Sequence, residues 1–232
     1  MRVAFVSDIH SNIDAFVTVL RFLETKNVDQ IYVAGDILGY YYNAAEVVDL
    51  CMRRENIYCI RGNHDTNFLN ALSNDAVMEK YTVRYGTSFK KAQAELSSAQ
   101  IEWIRTLPSK LHIKLSNLRI TVAHGSVVEE DAYIYPDASP ELFMRQVLHS
   151  DITVLGHTHH TFIWCKDNKY LINPGSVGQP RDQGSLASAV VLDISNRAII
   201  PFKIKFDPTN LKKDISKFDP DKEYLLSVLD RN

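Results

Sequence analysis

The chain has 232 residues, of which 45% are hydrophobic and 10% aromatic, enough for one domain with a substantial core. Its 26 Lys and Arg against 28 Asp and Glu give a formal net charge of -2, so binding of a polyanion such as nucleic acid is not expected. No apolar run reaches the length of a membrane span, and an apolar strand begins directly after Met1, leaving no room for a secretory leader.

The three cysteines, Cys51, Cys59 and Cys165, form no CxxC pair and lie in apolar segments. We expect buried free thiols, which favours a reducing cytoplasm. No composition shift divides the chain, and residues 1–232 are therefore predicted to form a single domain.

The first sixty residues alternate apolar, strand-like runs with amphipathic helices. Strands are predicted over residues 2–6, 31–34 and 57–60. This alternation implies parallel strands with right-handed crossovers, in which functional residues gather beyond the carboxyl ends of the strands. Asp8, Asp36 and Asn63 each follow one of these runs.

The remainder of the chain is predicted to be helical, then β-rich, then helical again. Residues 66–107 are predicted to form a helical cap over the sheet edge, and a helical tail follows at about 207–232. Between them a helix near 140–148 interrupts a series of β-patterned runs. These runs cover residues 111–115, 118–123, 152–155, 161–165, 169–172, 189–192 and 198–204.

Polar clusters occur at the ends of five apolar runs: Asp8-Ile9-His10, Gly35-Asp36, Gly62-Asn63-His64-Asp65, His124-Gly125 and Gly156-His157-Thr158-His159. Together they supply three carboxylates, one side-chain amide and five imidazoles. This mixture of oxygen and nitrogen donors suits divalent transition metals better than calcium. We predict that the clusters converge on one pocket that holds two metal ions.

In this order the clusters closely resemble the signature of the calcineurin-like metallophosphoesterase superfamily, which runs DxH, GD, GNH[DE], H and GHxH. The resemblance implies a four-layer αββα sandwich, two mixed β-sheets flanked by helices, within the α/β (α+β) class. It also implies a ligand set for each metal. One ion would be held by Asp8, His10, Asp36 and His159, and the other by Asp36, Asn63, His124 and His157.

The resemblance further implies hydrolysis of a phosphomonoester or phosphodiester by a hydroxide that bridges the two ions. His64 would protonate the leaving oxygen or bind a phosphoryl oxygen, and Asp65 would keep the His64 ring oriented. The expected cofactors are two divalent ions chosen from Mn, Fe, Zn, Ni and Co. The expected partner is a small phosphorylated substrate, and the sequence leaves the oligomeric state open.

The substrate contacts are less sharply defined. Residues 173–182 resemble the NPGSVGxPR segment of small prokaryotic phosphoesterases in the superfamily, which makes Arg181 a candidate phosphate ligand. Tyr40 is a candidate for stacking on a base or aryl group, with packing as the alternative for all three tyrosines at 40–42. Asn12 is a candidate substrate contact or the cap of the first helix. His112, His149 and His160 are predicted to be solvated.

Other functions remain as alternatives. The protein phosphatase branch and the dinucleoside tetraphosphatases near it resemble GDxVDRG and GNHE, whereas this chain reads GDILGY from Gly35 and GNHD from Gly62. The missing arginine removes a bidentate phosphate ligand, so protein phosphatase activity is not the first prediction. Protein phosphatase and dinucleoside polyphosphate hydrolase are kept as alternatives. A non-catalytic scaffold of the retromer type is a third alternative, against which the intact imidazoles argue.

Overall fold

Two mixed β-sheets of five strands each form the centre of the molecule. The computed structural model describes residues 1–231, and all statements on the fold concern them. The strands are β1 (Arg2–Val6), β2 (Gln30–Val33), β3 (Ile57–Cys59), β4 (Lys110–Leu115), β5 (Leu118–Ala123), β6 (Ile152–Val154), β7 (Phe162–Lys166), β8 (Lys169–Asn173), β9 (Leu186–Asp193) and β10 (Ala198–Lys205).

Nine helices connect or follow these strands in the described part of the chain. They are α1 (Ile13–Thr25), α2 (Ala44–Arg53), α3 (Asn63–Ala71), α4 (Asp75–Tyr85), α5 (Ser88–Glu95), α6 (Ser98–Thr106), α7 (Pro140–Gln146), α8 (Thr209–Phe218) and α9 (Glu223–Leu229). The predicted helical stretch after β3 is thus divided into four short helices. Gly86 follows α4 with a φ of 90°, a backbone conformation that ends the helix there.

The first sheet has the strand order β10-β9-β1-β2-β3. β1, β2 and β3 are parallel, as the βαβαβ alternation predicts, and β9 and β10 are antiparallel. Val6 is opposite Val33, and Val33 is opposite Cys59, so the carboxyl ends of the three parallel strands lie in line. The loops after these strands therefore leave the sheet at the same edge.

The second sheet has the order β4-β5-β6-β8-β7. Its central strands β5, β6 and β8 are parallel, with Val122 opposite Val154 and Val154 opposite Ile172. Their carboxyl ends also form one edge, and the residues that follow β5 and β6 include His124 and His157. In each sheet, the polar clusters that follow the parallel strands therefore lie side by side at the carboxyl ends of those strands.

Three hydrophobic cores separate four layers. In β1, Val3 and Phe5 face the core between the two sheets, whereas Ala4 and Val6 face helices on the other side. The outer face of the second sheet packs against α7 through a smaller core that contains Leu171. The order helices, sheet, sheet, helix confirms the predicted αββα sandwich.

The C-terminal helices bind to both the cap helices and the loop before β9. Asp219, between α8 and α9, accepts hydrogen bonds from the Tyr42 hydroxyl at 2.8 Å and from the Thr87 backbone amide at 2.9 Å. The Arg231 guanidinium donates to the backbone carbonyl of Arg181 at 3.0 Å, and Ser185 donates to that of Leu229. The tail therefore stabilises the segment that carries Arg181.

Cys51 and Cys59 are buried free thiols as predicted, but the prediction is wrong for Cys165, which is exposed. Cys165 lies in β7, an edge strand of the second sheet that pairs only with β8, and one face of this strand is turned to solvent. Within residues 1–231, no helix combines the length and apolar character needed to cross a membrane.

Candidate metal centre

The site lies in the loops at the carboxyl ends of the parallel strands, and many of its residues have a left-handed backbone. Five of the predicted metal ligands have positive φ: Asp8 (56°), His10 (51°), Asp36 (53°), His157 (69°) and His159 (63°). Such residues cost on the order of 1–3 kcal/mol each and persist only where the surroundings fix them. Here the backbone amides of Asp8 and His10 donate to the carbonyls of Gly35 and Asp36, which ties the first two loops together.

Asp8, His10 and His159 form the first group of candidate ligands, with one donor atom of each within 4.8 Å of the others. The Nδ1 atoms of His10 and His159 donate to the backbone carbonyls of Leu38 (2.9 Å) and Gln179 (2.7 Å). Because a carbonyl can only accept, both rings carry their proton on Nδ1. Their two Nε2 lone pairs therefore face each other, at a separation of 3.1 Å.

Neither the His10 ring nor the His159 ring gains a second proton that would remove the repulsion between the two Nε2 lone pairs. Burial lowers the pKa of His10 to about 3, although Asp36 acts in the opposite direction. Burial, with repulsion from His10, holds the pKa of His159 well below its usual value. Both rings are thus neutral near neutral pH, and the carboxylate of Asp8 lies 3.4 Å from His159 Nε2. These donors fit a divalent metal ion.

Asp36, His124 and His157 form the second group. The Nδ1 of His124 lies 2.7 Å from the Ala34 carbonyl, and its Nε2 lies 2.9 Å from the side-chain oxygen of Asn63 and 3.3 Å from Asp36. His157 Nε2 is buried and has no hydrogen-bond partner among the described residues. An imidazole nitrogen buried in this way is suited to bind a metal ion.

Asp36 lies between the two groups. Its Oδ2 is 3.3 Å from His124 Nε2 and 3.8 Å from His10 Nε2, while its Oδ1 accepts a hydrogen bond from the backbone amide of His64. Burial raises its pKa, but His124 and His64 outweigh burial and hold the pKa of Asp36 well below the usual range. Asp36 is therefore a charged carboxylate in a position to contact ions in both groups.

The electrostatic balance of the site favours a cation. Burial alone would lower the pKa of His124, but the attraction of Asp36 and Asp8 raises it to about 10. Burial raises the pKa of Asp8 to about 7, against the attraction of His124. The protein thus gathers buried carboxylates whose charge a metal cation would neutralise.

The structure contradicts the predicted contact between Asp65 and the His64 ring. The Asp65 carboxylate accepts hydrogen bonds from the backbone amides of Gly62 (3.0 Å), Leu38 (2.9 Å) and Ile37 (3.3 Å). Asp65 is the third residue of α3, and a carboxylate at this position turns back to the start of its own helix. The Asp65 carboxylate thereby fixes the Asp36 loop against α3 and does not orient the His64 ring.

His64 lies in an aromatic environment next to the first group. Its ring centroid is 5.0 Å from those of His10 and Tyr85 and 4.9 Å from that of Tyr40. Its Nδ1 is buried without a hydrogen-bond partner among the described residues. Burial lowers the pKa of His64 despite the attraction of Asp36. A ring placed in this way carries no charge near neutral pH.

The three predicted substrate contacts occupy different positions. Arg181 is half-buried, and its guanidinium lies 3.4 Å from the Tyr40 hydroxyl. All three tyrosines at 40–42 are buried in one hydrophobic core, with Tyr40 6% exposed, and the Tyr40 ring meets the His10 ring edge-on at 4.6 Å. The packing alternative therefore describes these side chains, and a stacking role for Tyr40 remains a prediction. The Asn12 amide caps α1 through Ala15 and donates to the Gly178 carbonyl. A substrate role for Asn12 remains a prediction.

Sequence reasoning missed two aromatic residues around the same site, Tyr85 and Tyr133. The helical pattern predicts Tyr81 to be inward or pocket-facing, and Tyr81 and Tyr85 lie four residues apart on α4 and flank His64, with ring centroids 6.5 and 5.0 Å away. This spacing, which places both on one helix face, is the only sequence signal that could have indicated Tyr85. The Tyr133 ring centroid lies 4.0 Å from that of His157, in a loop whose sequence has no recognisable pattern.

Comparisons with known proteins show which family the chain resembles. The calcineurin-like phosphoesterase superfamily domain matches residues 1–197. An uncharacterised protein of Methanocaldococcus jannaschii is 29% identical over 223 residues, covering 88% of each chain. The crystal structure of a metallophosphoesterase from Sphaerobacter thermophilus superimposes with a TM-score of 0.81 at 25% identity, covering 99% of this chain and 98% of that one.

A hypothetical protein from Pyrococcus horikoshii has the same fold, with a TM-score of 0.86 at 19% identity and coverage of 99% of this chain and 98% of its own. The family match spans all five polar clusters, from Asp8 to His159. The chain belongs to the calcineurin-like phosphoesterase family.

Proposed function

We propose that the protein is a metal-dependent phosphoesterase that hydrolyses a phosphomonoester or phosphodiester of a small molecule. The observation that carries the proposal is the opposition of the His10 and His159 Nε2 atoms at 3.1 Å, with Asp36 lying between this pair and His124. Family membership and the similarity to the Sphaerobacter thermophilus metallophosphoesterase support it.

In this proposal one metal ion is held by Asp8, His10, Asp36 and His159. The second is held by Asp36, Asn63, His124 and His157. Two bound divalent ions would lower the pKa of a shared water and neutralise the negative charge that develops around phosphorus.

The chain itself supplies orientation and further contacts to the phosphate. The Nδ1 donations to Leu38 and Gln179 hold two imidazoles in the tautomer that presents Nε2 to a metal. His64 would donate a hydrogen bond to a phosphoryl oxygen or protonate the leaving oxygen. Arg181 would bind a further phosphate oxygen, and its link to Tyr40 would steady the guanidinium.

The proposal is tested with the full chain, stripped by a chelator and reloaded separately with Mn²⁺, Fe²⁺, Zn²⁺, Ni²⁺ or Co²⁺. Hydrolysis of p-nitrophenyl phosphate and of bis(p-nitrophenyl) phosphate is then measured with each metal. We expect activity on at least one ester that returns only after metal is added. A matched control is His149→Asn, because His149 is exposed and follows α7, at the opposite end of β6 from His157.

The proposed ligand set is tested by comparing the variants His159→Ala and His149→Asn. Loss of activity in the first and normal activity in the second would support the proposed ligand set. Inactivity of the wild-type protein with every metal and both esters would contradict the proposal, and would favour the scaffold alternative.

A further inference from the structure

Two tyrosines are held in solvent beside the candidate metal centre. Tyr133 and Tyr135, in the loop between β5 and α7, are 51% and 39% exposed. Their rings are nearly parallel, with an interplanar angle of 13° and a centroid separation of 5.8 Å. Ile134 between them is buried and packs in the same core as Phe143. The buried isoleucine thus directs both rings outward.

Hydrogen bonds fix the loop that carries these rings. The Ser126 hydroxyl accepts from the backbone amides of Val128 and Glu129, and it donates to the Glu129 carbonyl. At the other end, the Ala138 amide donates to the carbonyl of Tyr135. These bonds hold the loop on both sides of Tyr133, which lowers the entropy cost of using its ring for recognition.

The Tyr133 ring packs against His157, a candidate metal ligand. It is inclined at 37° to the His157 ring, with centroids 4.0 Å apart. Tyr85, on α4, stands next to His64. Burial raises the pKa of Tyr85, Arg84 lowers it, and Tyr133 adds to the rise.

Two guanidinium groups accompany these aromatic side chains, and the surface formed by Tyr85, Tyr133, Arg84 and Arg181 is called the opening of the site. Arg84 is exposed, with its guanidinium 4.9 Å from the centroid of Tyr85, and Arg181 is half-buried beside Tyr40. Within residues 1–231 neither forms a salt bridge with a carboxylate. Both act on Tyr133, whose pKa is raised by burial and lowered by these two cations. The opening therefore combines aromatic faces with unpaired positive charge.

Resting on the proposed function, we propose that Tyr133 stacks against a planar aromatic ring of the substrate while Arg84 contacts its phosphate oxygens. The substrates would then be phosphate esters of nucleosides, in preference to esters of sugars or alkyl alcohols. An aromatic ring attached to an anionic phosphate matches the two chemistries of the opening. A sugar phosphate would use only the cations and leave the tyrosine rings in water.

The test compares AMP with ribose 5-phosphate, two 5′-phosphates of ribose that differ by the adenine ring. Their binding is measured by titration calorimetry on Mn²⁺-loaded protein that carries His64→Ala in every sample, because this background is expected to keep its metal ions and to hydrolyse the ligands too slowly to disturb the titration. We expect AMP to bind about tenfold more tightly than ribose 5-phosphate, because stacking of a base on an aromatic side chain strengthens binding by about this factor or more. Tyr133→Ala should abolish most of this preference and leave the affinity for ribose 5-phosphate unchanged, whereas Tyr133→Phe should keep it.

Tyr58→Ala is the matched control, because Tyr58 is 40% exposed on β3 and lies outside the opening. It should behave as the His64→Ala background does. If Tyr133→Ala does not fold, Tyr133→Leu, which keeps the apolar bulk without a ring, takes its place. Equal affinity of the His64→Ala background for both ligands, or equal losses for both in the Tyr133 variant, would overturn the inference.

Failure of the inference can be distinguished from failure of the proposed function. A protein that hydrolyses esters but binds both ligands equally is a phosphoesterase without aromatic recognition. A protein that prefers AMP through Tyr133 but hydrolyses no ester binds nucleotides without being an enzyme. The first result contradicts only the inference, and the second contradicts only the proposed activity.

Discussion

The Nε2 atoms of His10 and His159 lie 3.1 Å apart with their lone pairs facing each other. Each ring is held in this tautomer by a backbone carbonyl on its other side, so neither can turn its proton inward without losing a buried hydrogen bond. A cation between the two nitrogens would convert the repulsion into coordination. The folded protein should therefore bind metal ions that the unfolded chain binds weakly.

We expect metal ions to raise the stability of the protein. Binding to the folded state alone at 100 times the dissociation constant adds about 2.7 kcal/mol to the free energy of unfolding. Thermal unfolding is measured after chelation and again after addition of Mn²⁺, Zn²⁺ or Co²⁺. An unfolding temperature that none of these ions changes would contradict the presence of a metal centre.

Adjacent histidines provide a sharp test of the ligand set. His159→Ala should reduce metal content by about one ion per chain, because a first-sphere ligand contributes more to affinity than the 10–100-fold typical of outer-sphere partners. His160→Ala, the matched control, should keep full metal content, since His160 belongs to neither group. Elemental analysis of the dialysed proteins gives the answer, and equal content in both variants would contradict the assignment.

Asp36→Asn should affect both metal positions. Loss of the shared carboxylate is expected to lower activity by more than about 100-fold and to reduce the content of both ions. The metal-free variant should also unfold at a lower temperature than the metal-free wild-type protein, because Asp36, whose pKa is well below its usual range, and His124, whose pKa is raised, stabilise each other, and the variant leaves the buried His124 without this partner. Asp167→Asn, in an exposed turn, is the control. A variant with normal metal content would show that Asp36 is not a ligand.

His64→Ala should separate metal binding from turnover. The ring contacts no metal in the proposed arrangement, so metal content should remain that of the wild-type protein. The rate should nevertheless fall by about 10²–10⁴-fold, the range for loss of a group that transfers a proton or stabilises the transition state. Steady-state rates are compared with elemental analysis on the same samples. Parallel loss of metal and rate would assign His64 to the metal centre instead.

Asp219→Ala should lower the stability of the fold. The buried carboxylate accepts from Tyr42 and Thr87, and its removal leaves both donors unsatisfied, at a cost of about 1–3 kcal/mol. Asp221→Ala, at an exposed position two residues away, should change the free energy of unfolding by less than about 0.5 kcal/mol. Denaturant unfolding measures both. Equal stability of the two variants would mean that this contact contributes little.

The parallel strands and the convergence of the polar clusters could be predicted because both depend on local pattern, whereas the four layers and the division of the ligands between two ions were implied by the family resemblance. Apolar runs mark the strands, and the residues just beyond them come together when the strand ends are in register, as Val6, Val33 and Cys59 are. For this reason Asp8 and Asp36 meet in space although 28 positions separate them in the sequence. Order along the chain was sufficient information for these groups.

The remaining features depend on side-chain direction, which spacing does not encode. Asp65 follows His64, yet its carboxylate turns back along α3 to backbone amides, and the sequence shows no preference between these partners. Tyr133 packs against His157 only because of the conformation of the long loop between β5 and α7. Cys165 has apolar neighbours in sequence but lies on an edge strand, so its exposure depends on sheet order.

The contact between the C-terminal tail and the Arg181 segment affects how the protein should be produced. Arg231 donates to the Arg181 carbonyl, and the Gly184 amide donates to the Arg231 carbonyl, directly beside the segment proposed to bind phosphate. A purification tag placed directly after Arg231 would adjoin this contact and compete with it. Met1 is 51% exposed and precedes β1 at the amino end of the strand, away from the site at the carboxyl ends, so an N-terminal fusion would leave the site clear.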